Sequence, residues 1–227
     1  MKKTILLLLA ILLIVPSAFT QKIVLGTVDY SYKVIGEGAD QMAGMMPNKM
    51  VIKYGKNGLS SKMEGGMMAA SMGKTVVNGE TGDVFMIKES EKVLYVMSKE
   101  EIKAEADKVG ETDVKSFDDT KTIMGYKCKK YTQSITMQGQ TVEQTLWATD
   151  ELKTPDYESE AFRGMAGQGG LNFDIDGFPM LIEIGLPMAN LTLQLEVSNI
   201  DFGKIPAKEF EKPKGYTEKP FSEMSPF

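Results

Sequence analysis

The chain has 227 residues, 42% of them hydrophobic, with one cysteine, no histidine and a formal net charge of −5. The missing histidine excludes Ser-His and Cys-His nucleophile pairs, the commonest general base and every histidine metal ligand, so an enzyme here would have to run on carboxylates, lysine or tyrosine. The single cysteine excludes an internal disulfide, and the acidic balance argues against nucleic acid, whose phosphates are held by clustered lysine and arginine.

The chain opens with Lys2 and Lys3, an apolar run from Ile5 to Val15, and then Pro16, Ser17, Ala18 and Thr20. This order reads as a signal peptide over residues 1–20. The run is about half the ~20 apolar residues that cross a hydrocarbon core, and no later segment is long enough to span a membrane. Cleavage after Thr20 removes Lys2 and Lys3 and so moves the net charge from −5 to −7. A bacterial lipid anchor would need a cysteine at the cleavage site, whereas Cys128 lies deep in the chain. The expected product is therefore a periplasmic or secreted protein without a lipid anchor. It is a single β-rich domain over residues 21–227 with a frayed C-terminal tail, held by its core alone.

Even positions from Val24 to Val34 are apolar or glycine while Thr27, Asp29, Ser31 and Lys33 alternate with them, the period-two pattern of a half-buried strand. Strands are expected at Lys49 to Tyr54, Leu59 to Glu64, Asp83 to Lys88 and Lys92 to Met97. Turn signals at Lys56-Asn57-Gly58 and Asn78-Gly79 join them into a meander of antiparallel hairpins. Ser98 with Glu101 forms a capping box that opens a helix to about Lys108, with Ile102, Ala106 and Val109 facing inward. Strands resume at Lys121 to Ile123 and Tyr126 to Met137, turn at Gly139, and return through Val142 to Thr149. Thr154 and Pro155 predict a second helix to about Arg163. The four glycines from Gly164 to Gly170 end it as a flexible link. Pro179 to Ile184 and Leu191 to Asn199 form a closing hairpin, and the tail from Lys204 reads as an edge strand.

Four segments taken in order carry a resemblance: Gly125 to Tyr131 (G-Y-K-C-K-K-Y), Leu146 to Leu152 (L-W-A-T-D-E-L), Gly177 to Ile182 (G-F-P-M-L-I) and Phe210 to Tyr216 (F-E-K-P-K-G-Y). They resemble an uncharacterised family of secreted bacterial proteins, a domain of unknown function whose shape looks like the LolA and LppX carriers of lipids and lipoproteins. The resemblance implies a mostly β (α+β) fold: an antiparallel half-barrel sheet with short helices packed on its concave face and an apolar cavity between. Trp147 and Tyr131, on adjacent expected strands, read as core.

Methionine is over-represented, with 17 in the chain. Flexible, polarizable thioethers suit an apolar site that repacks around its ligand, and Met50, Ile52, Met63, Met67, Met68, Met72, Met86 and Met97 are the candidate lining. Thioethers also select Cu(I), for which Met42, Met45, Met46 and Met50 are the alternative set, and they fill ordinary cores. Asn172, Asp174, Asp176, Gly177 and Glu183 match the spacing of a calcium loop, but a strand rather than a helix follows, so an acidic turn is expected. Ser71 and Lys74 make S-x-x-K without S-D-N or K-T-G elsewhere, a coincidental match. Cys128 is expected to be buried and inert, and Lys127, Lys129 and Lys130 a solvated strand face. The resemblance to a bacterial family implies that the sequon at Asn190 is idle.

The expected function is extracytoplasmic binding of a lipid or lipoprotein acyl chain, without enzymatic activity and without a cofactor. A structural or interaction protein of the envelope, partnered by another protein, and a methionine-based Cu(I) binder are the alternatives.

Overall fold

The structure is a computed structural model that describes residues 21–42, 44–107, 113–137, 140–155, 157, 161–162, 175, 177–186 and 190–224. The expected signal peptide, Val109, the turn at Gly139, the Gly164 to Gly170 link, and Asn172, Asp174 and Asp176 lie outside them. Fourteen strands are described: β1 (Lys22–Ile23), β2 (Gly26–Gly36), β3 (Lys49–Tyr54), β4 (Gly58–Glu64), β5 (Lys74–Asn78), β6 (Asp83–Lys88), β7 (Val93–Val96), β8 (Val114–Ile123), β9 (Tyr126–Met137), β10 (Gln140–Thr149), β11 (Leu152–Lys153), β12 (Phe178–Leu186), β13 (Leu191–Asp201) and β14 (Thr217–Pro220). Three short helices accompany them: α1 (Ala39–Met42), α2 (Gly66–Met72) and α3 (Lys99–Ala106).

Twelve strands form one sheet in the order β14-β7-β6-β5-β4-β3-β2-β13-β12-β10-β9-β8, so the sheet is open, with β14 and β8 at its edges. β1 and β11 pair separately in parallel. From β2 to β7 every step is an antiparallel neighbour, as the hairpin meander requires. The period-two reading of β2 holds: Val28, Tyr30 and Tyr32 are buried, with Asp29, Ser31 and Lys33 on the other face. In β3 the same alternation buries Met50, Ile52 and Tyr54. β12 is buried without a break from Phe178 to Ile182, because both of its faces are covered there.

The main core runs across the sheet from β6 to β9 and includes Val84, Val77, Ile52, Tyr30, Val197, Ile182, Leu146 and Cys128. Ile102 of α3 packs into it. The capping box of α3 is complete: the Ser98 hydroxyl accepts from the Glu101 amide, and the Ser98 amide donates to the Glu101 carboxylate at 2.7 Å. The opposite face of β5 to β7 has its own smaller core of Val76, Phe85, Ile87 and Leu94, covered by Phe210 with Ile205 and Tyr216. β6 therefore sends Val84 to one core and Phe85 to the other.

Two expectations change. β8 begins at Val114 rather than Lys121, because its hydrogen bonds to β9 support a strand whose side chains are almost all exposed and carry no apolar signature. The helix expected from Thr154 does not start there. Residues 154, 155 and 157 are not helical, and helix is present at 161–162. Leu152–Lys153 is extended by pairing with β1, and Tyr157 is tied to the sheet, its hydroxyl donating to the Gly55 carbonyl at 2.8 Å. These contacts hold the backbone out of the helix that a proline at the first position favours locally.

Candidate functional site

The β2–β3 and β4–β5 connections leave the sheet at the same end, since Lys49 pairs with Glu64 at the tops of β3 and β4. Both connections carry methionine. Residues 65–73 read G-G-M-M-A-A-S-M-G, and seven of them form α2. Gly65, Gly66 and Gly73 all have positive φ, a conformation that side chains with a Cβ resist, so the helix begins and ends abruptly. A Cβ on Gly66 would also overlap the Met46 carbonyl, so the close approach of the two connections depends on that glycine.

No side chain caps the start of α2. Its first amides are instead met by the neighbouring connection: the Met67 amide donates to the Gly44 carbonyl at 3.4 Å and the Met68 amide to the Met45 carbonyl at 2.9 Å. The helix has no charged residue, yet none of its described side chains is fully buried. Met67 is 71% exposed and Met45 beside it 50%.

The eight candidate lining residues fall into two groups. Met50, Ile52 and Met97 are consumed by the protein's own main core, at 5%, 3% and 4% exposure, and Met63 packs against that core. Met67 is exposed, while Met68, Met72 and Met86 are half-buried. Of the alternative copper set, Met50 is buried in β3, Met46 packs on the main core, Met42 is half-buried and Met45 is exposed.

Other sequence candidates are resolved by their contacts. Ser71 donates to the Met68 carbonyl at 2.8 Å, whereas the Lys74 amine is bound to Glu209, so the S-x-x-K pair is not a nucleophile and its base. Glu183 lies within β12 and accepts from the Gln194 amide at 3.1 Å. Cys128 is buried and free, and burial pushes its thiol up to about 11. Lys127 is exposed, but Lys129 and Lys130 are half-buried and lie over the rings of Tyr131 and Phe117. Tyr131 and Trp147 are both partly buried against the main core. Among the described residues no helix is long and apolar enough to cross a membrane, and no group of three histidine, cysteine, aspartate or glutamate residues could hold a metal ion.

Two cavities stand out among the described residues, and sequence reasoning pointed to neither. One, of about 370 Å³, lies between the outer face of β5–β6 and the C-terminal segment, lined by Lys74, Ile87, Glu89, Lys208, Glu209, Glu211, Lys212, Pro213, Lys214 and Tyr216. The other, of about 260 Å³, lies beside β8 to β10 and includes Asp118, Lys127, Cys128 and Asp150. Neither contains any of the eight candidate lining residues. The only sequence signal for the first was the lysine-rich run from Lys204, whose opposite partners sit more than a hundred residues earlier in the chain.

Residues 37–216 match the family described as Domain of unknown function (DUF4412). No curated protein matches the chain. Among solved structures, PNGF-II is similar at a TM-score of 0.48 and 15% identity over 87% of this chain, which spans only 32% of that one. An uncharacterized conserved protein from Thermus thermophilus is similar at a TM-score of 0.47 and 8% identity, covering 86% of this chain and 90% of its own. A candidate outer membrane lipoprotein-sorting protein domain from Vibrio parahaemolyticus is similar at a TM-score of 0.36 and 9% identity, covering 82% of this chain and 89% of its own. These likenesses are loose, and no function passes from them to this chain.

Proposed function

Because the chain belongs to the DUF4412 family, a domain of unknown function, we propose its role from its own geometry: extracytoplasmic, non-catalytic binding of an apolar ligand, a lipid or lipoprotein acyl chain. The observation that carries this reading is α2, an uncharged, methionine-rich helix with none of its described side chains fully buried. Apolar surface left open at one place on a protein marks a contact site. A seven-residue helix without a side-chain cap has little stability of its own, so it can shift to admit a ligand at small cost. Met67, Met68, Met72 and Met86 would line the site, with Met45 at its rim. Methionine suits this task because three rotatable bonds and a polarizable sulfur repack around chains of different shape.

The test is a native mass spectrum of the protein, expressed with its leader in a two-membrane bacterium and purified without detergent. The expected result is an extra lipid-sized mass that disappears on denaturation. The Met67→Asp variant, altered where the helix faces solvent, should fold and lose that mass. A bare polypeptide mass, unchanged after incubation with phospholipid, would overturn the reading. Co-purification of a protein partner in its place would favour the envelope interaction role, and copper in elemental analysis the thioether role.

A further inference from the structure

We infer that the outer-face cavity beneath the C-terminal segment is an anion site for a phosphate-type oxyanion. It lies on the face of β5 and β6 opposite the main core, and its argument does not depend on the apolar site. Lys74 of β5, which lines the cavity, and Lys53 of β3, behind it, reach across β4 to one carboxylate, Glu209, at 2.5 and 2.9 Å. Lys74 also donates to the Glu209 carbonyl at 3.4 Å. Two ammonium groups share one carboxylate, so this half-buried triad keeps one unit of positive charge, and Lys74 directs it into the cavity. Burial alone would raise the Glu209 carboxyl, but the two lysines overcome that and hold it below its ordinary value, so the acid stays ionised and the triad carries one positive charge rather than two.

The walls add to the same field. Four lysines face three glutamates around the cavity. Of the glutamates, Glu209 is committed to the triad, Glu89 pairs with Lys62 at 3.6 Å, and the exposed Glu211 forms no ion pair among the described residues and offsets one lysine charge. Of the lysines, Lys212 is held at 3.3 Å from Glu218 and 3.9 Å from Asp83. Lys208 and Lys214 form no ion pair among the described residues and stand ready for an external anion. The acidity of the whole chain makes this local excess the more specific. With a volume of about 370 Å³ the cavity holds roughly a dozen water-sized positions, enough for a phosphoryl group and the first atoms of its ester. Ile87, Pro213 and Tyr216 supply the apolar contact such an ester would meet.

The chemistry is the same for free phosphate and for the headgroup of an anionic phospholipid, and the experiment has an arm for each. In the first, inorganic phosphate is titrated calorimetrically into the mature protein at low ionic strength. Saturable one-to-one binding is expected, weakening as salt is added. The Lys208→Ala/Lys214→Ala variant should bind about tenfold less tightly, at two exposed charge contacts of under 1 kcal/mol each. The Lys99→Ala/Lys103→Ala variant, which removes the same charge from the exposed side of α3, should bind like the parent. In the second arm, flotation with phosphatidylglycerol vesicles that depends on Lys208 and Lys214 assigns the site to a headgroup. Binding of phosphate without flotation assigns it to a free anion. Absence of saturable phosphate binding, or equal weakening in both lysine variants, overturns the inference.

Discussion

Cys128 shows how far burial governs a single side chain. It stands between Lys127 and Lys129, neighbours that would activate an exposed thiol, but its side chain points into the main core. Desolvation outweighs the charge of Lys121 and pushes the thiol up to about 11, so at pH 8 roughly one molecule in a thousand carries a thiolate. Reaction with a disulfide reagent at that pH should therefore be at least about a hundredfold slower for the native protein than for the protein in urea, where the ordinary thiol value returns. Comparable rates would mean that the thiol is accessible. Glu209 makes the opposite case. Its folded-state value is lower than its unfolded one, so its contribution to stability is complete above the ordinary value of 4.5 and is lost as pH falls through the folded value. Glu209→Gln should lower the urea midpoint at pH 7, and the gap from the parent should close on acidification below about pH 4. A gap that persists unchanged at low pH would show that the carboxylate charge is not what binds the C-terminal segment.

At the scale of elements, the C-terminal segment supplies an edge strand, β14, as its sequence predicts, and also part of the smaller core, which its polar composition does not announce. Phe210 is 5% exposed and its ring lies on the backbone of Gly55 and Gly58, at the turn joining β3 and β4. The Tyr157 hydroxyl grips the same turn from another side. Phe210→Ala should cost about 3 kcal/mol, seen as a lower urea midpoint with little change in slope. Gly58→Ala should act in the same direction, because its Cβ would overlap the Phe210 ring. A loss under about 0.5 kcal/mol for Phe210→Ala, the size of an ordinary surface change, would show that the segment is not docked. The β8–β9 hairpin shows a local rule at work. Met124 and Gly125 both have positive φ, the conformation a two-residue turn requires, and glycine at the second position meets it without strain.

For the whole molecule, the open sheet poses the problem of its edges. β8 limits pairing with a second chain by its exposed charged residues and by an irregular register between Ser116 and Thr120. β7 is covered by β14 in parallel, and the segment leading to β14 also seals the smaller core. Ending the chain at Asp201 removes both protections at once. The truncated protein should keep its main core and a β-rich circular dichroism spectrum, but self-associate with rising concentration in sedimentation velocity. A monodisperse truncated monomer would show that neither the edge nor the smaller core needs this cover.

Alternation in β2, the strands β3 and β6, the capping box of α3 and the turns at Lys56-Asn57-Gly58 and Asn78-Gly79 were legible in the sequence, because each is decided by neighbours within a few residues. The family match and the burial of Cys128 agree with that reading. The strand Lys74–Asn78 and the helix α2 were missed, and a helix was expected too early at Thr154, because tertiary hydrogen bonds decide them. The candidate site was half legible. The methionine-rich connections are plain in the sequence, but which methionines the core consumes depends on strand register, which sets Met50 and Ile52 inward and leaves Met67 outside. The lysine cavity was not legible, since Lys53, Lys74 and Glu209 meet only when the C-terminal segment crosses the outer face of the sheet. By itself, the sequence determined the local periodicities, the absence of histidine and disulfide chemistry, and the excess of methionine. Tertiary structure alone decided which apolar and charged groups face one another, because contacts between distant residues arise from the order of strands in the sheet and from what covers each of its faces.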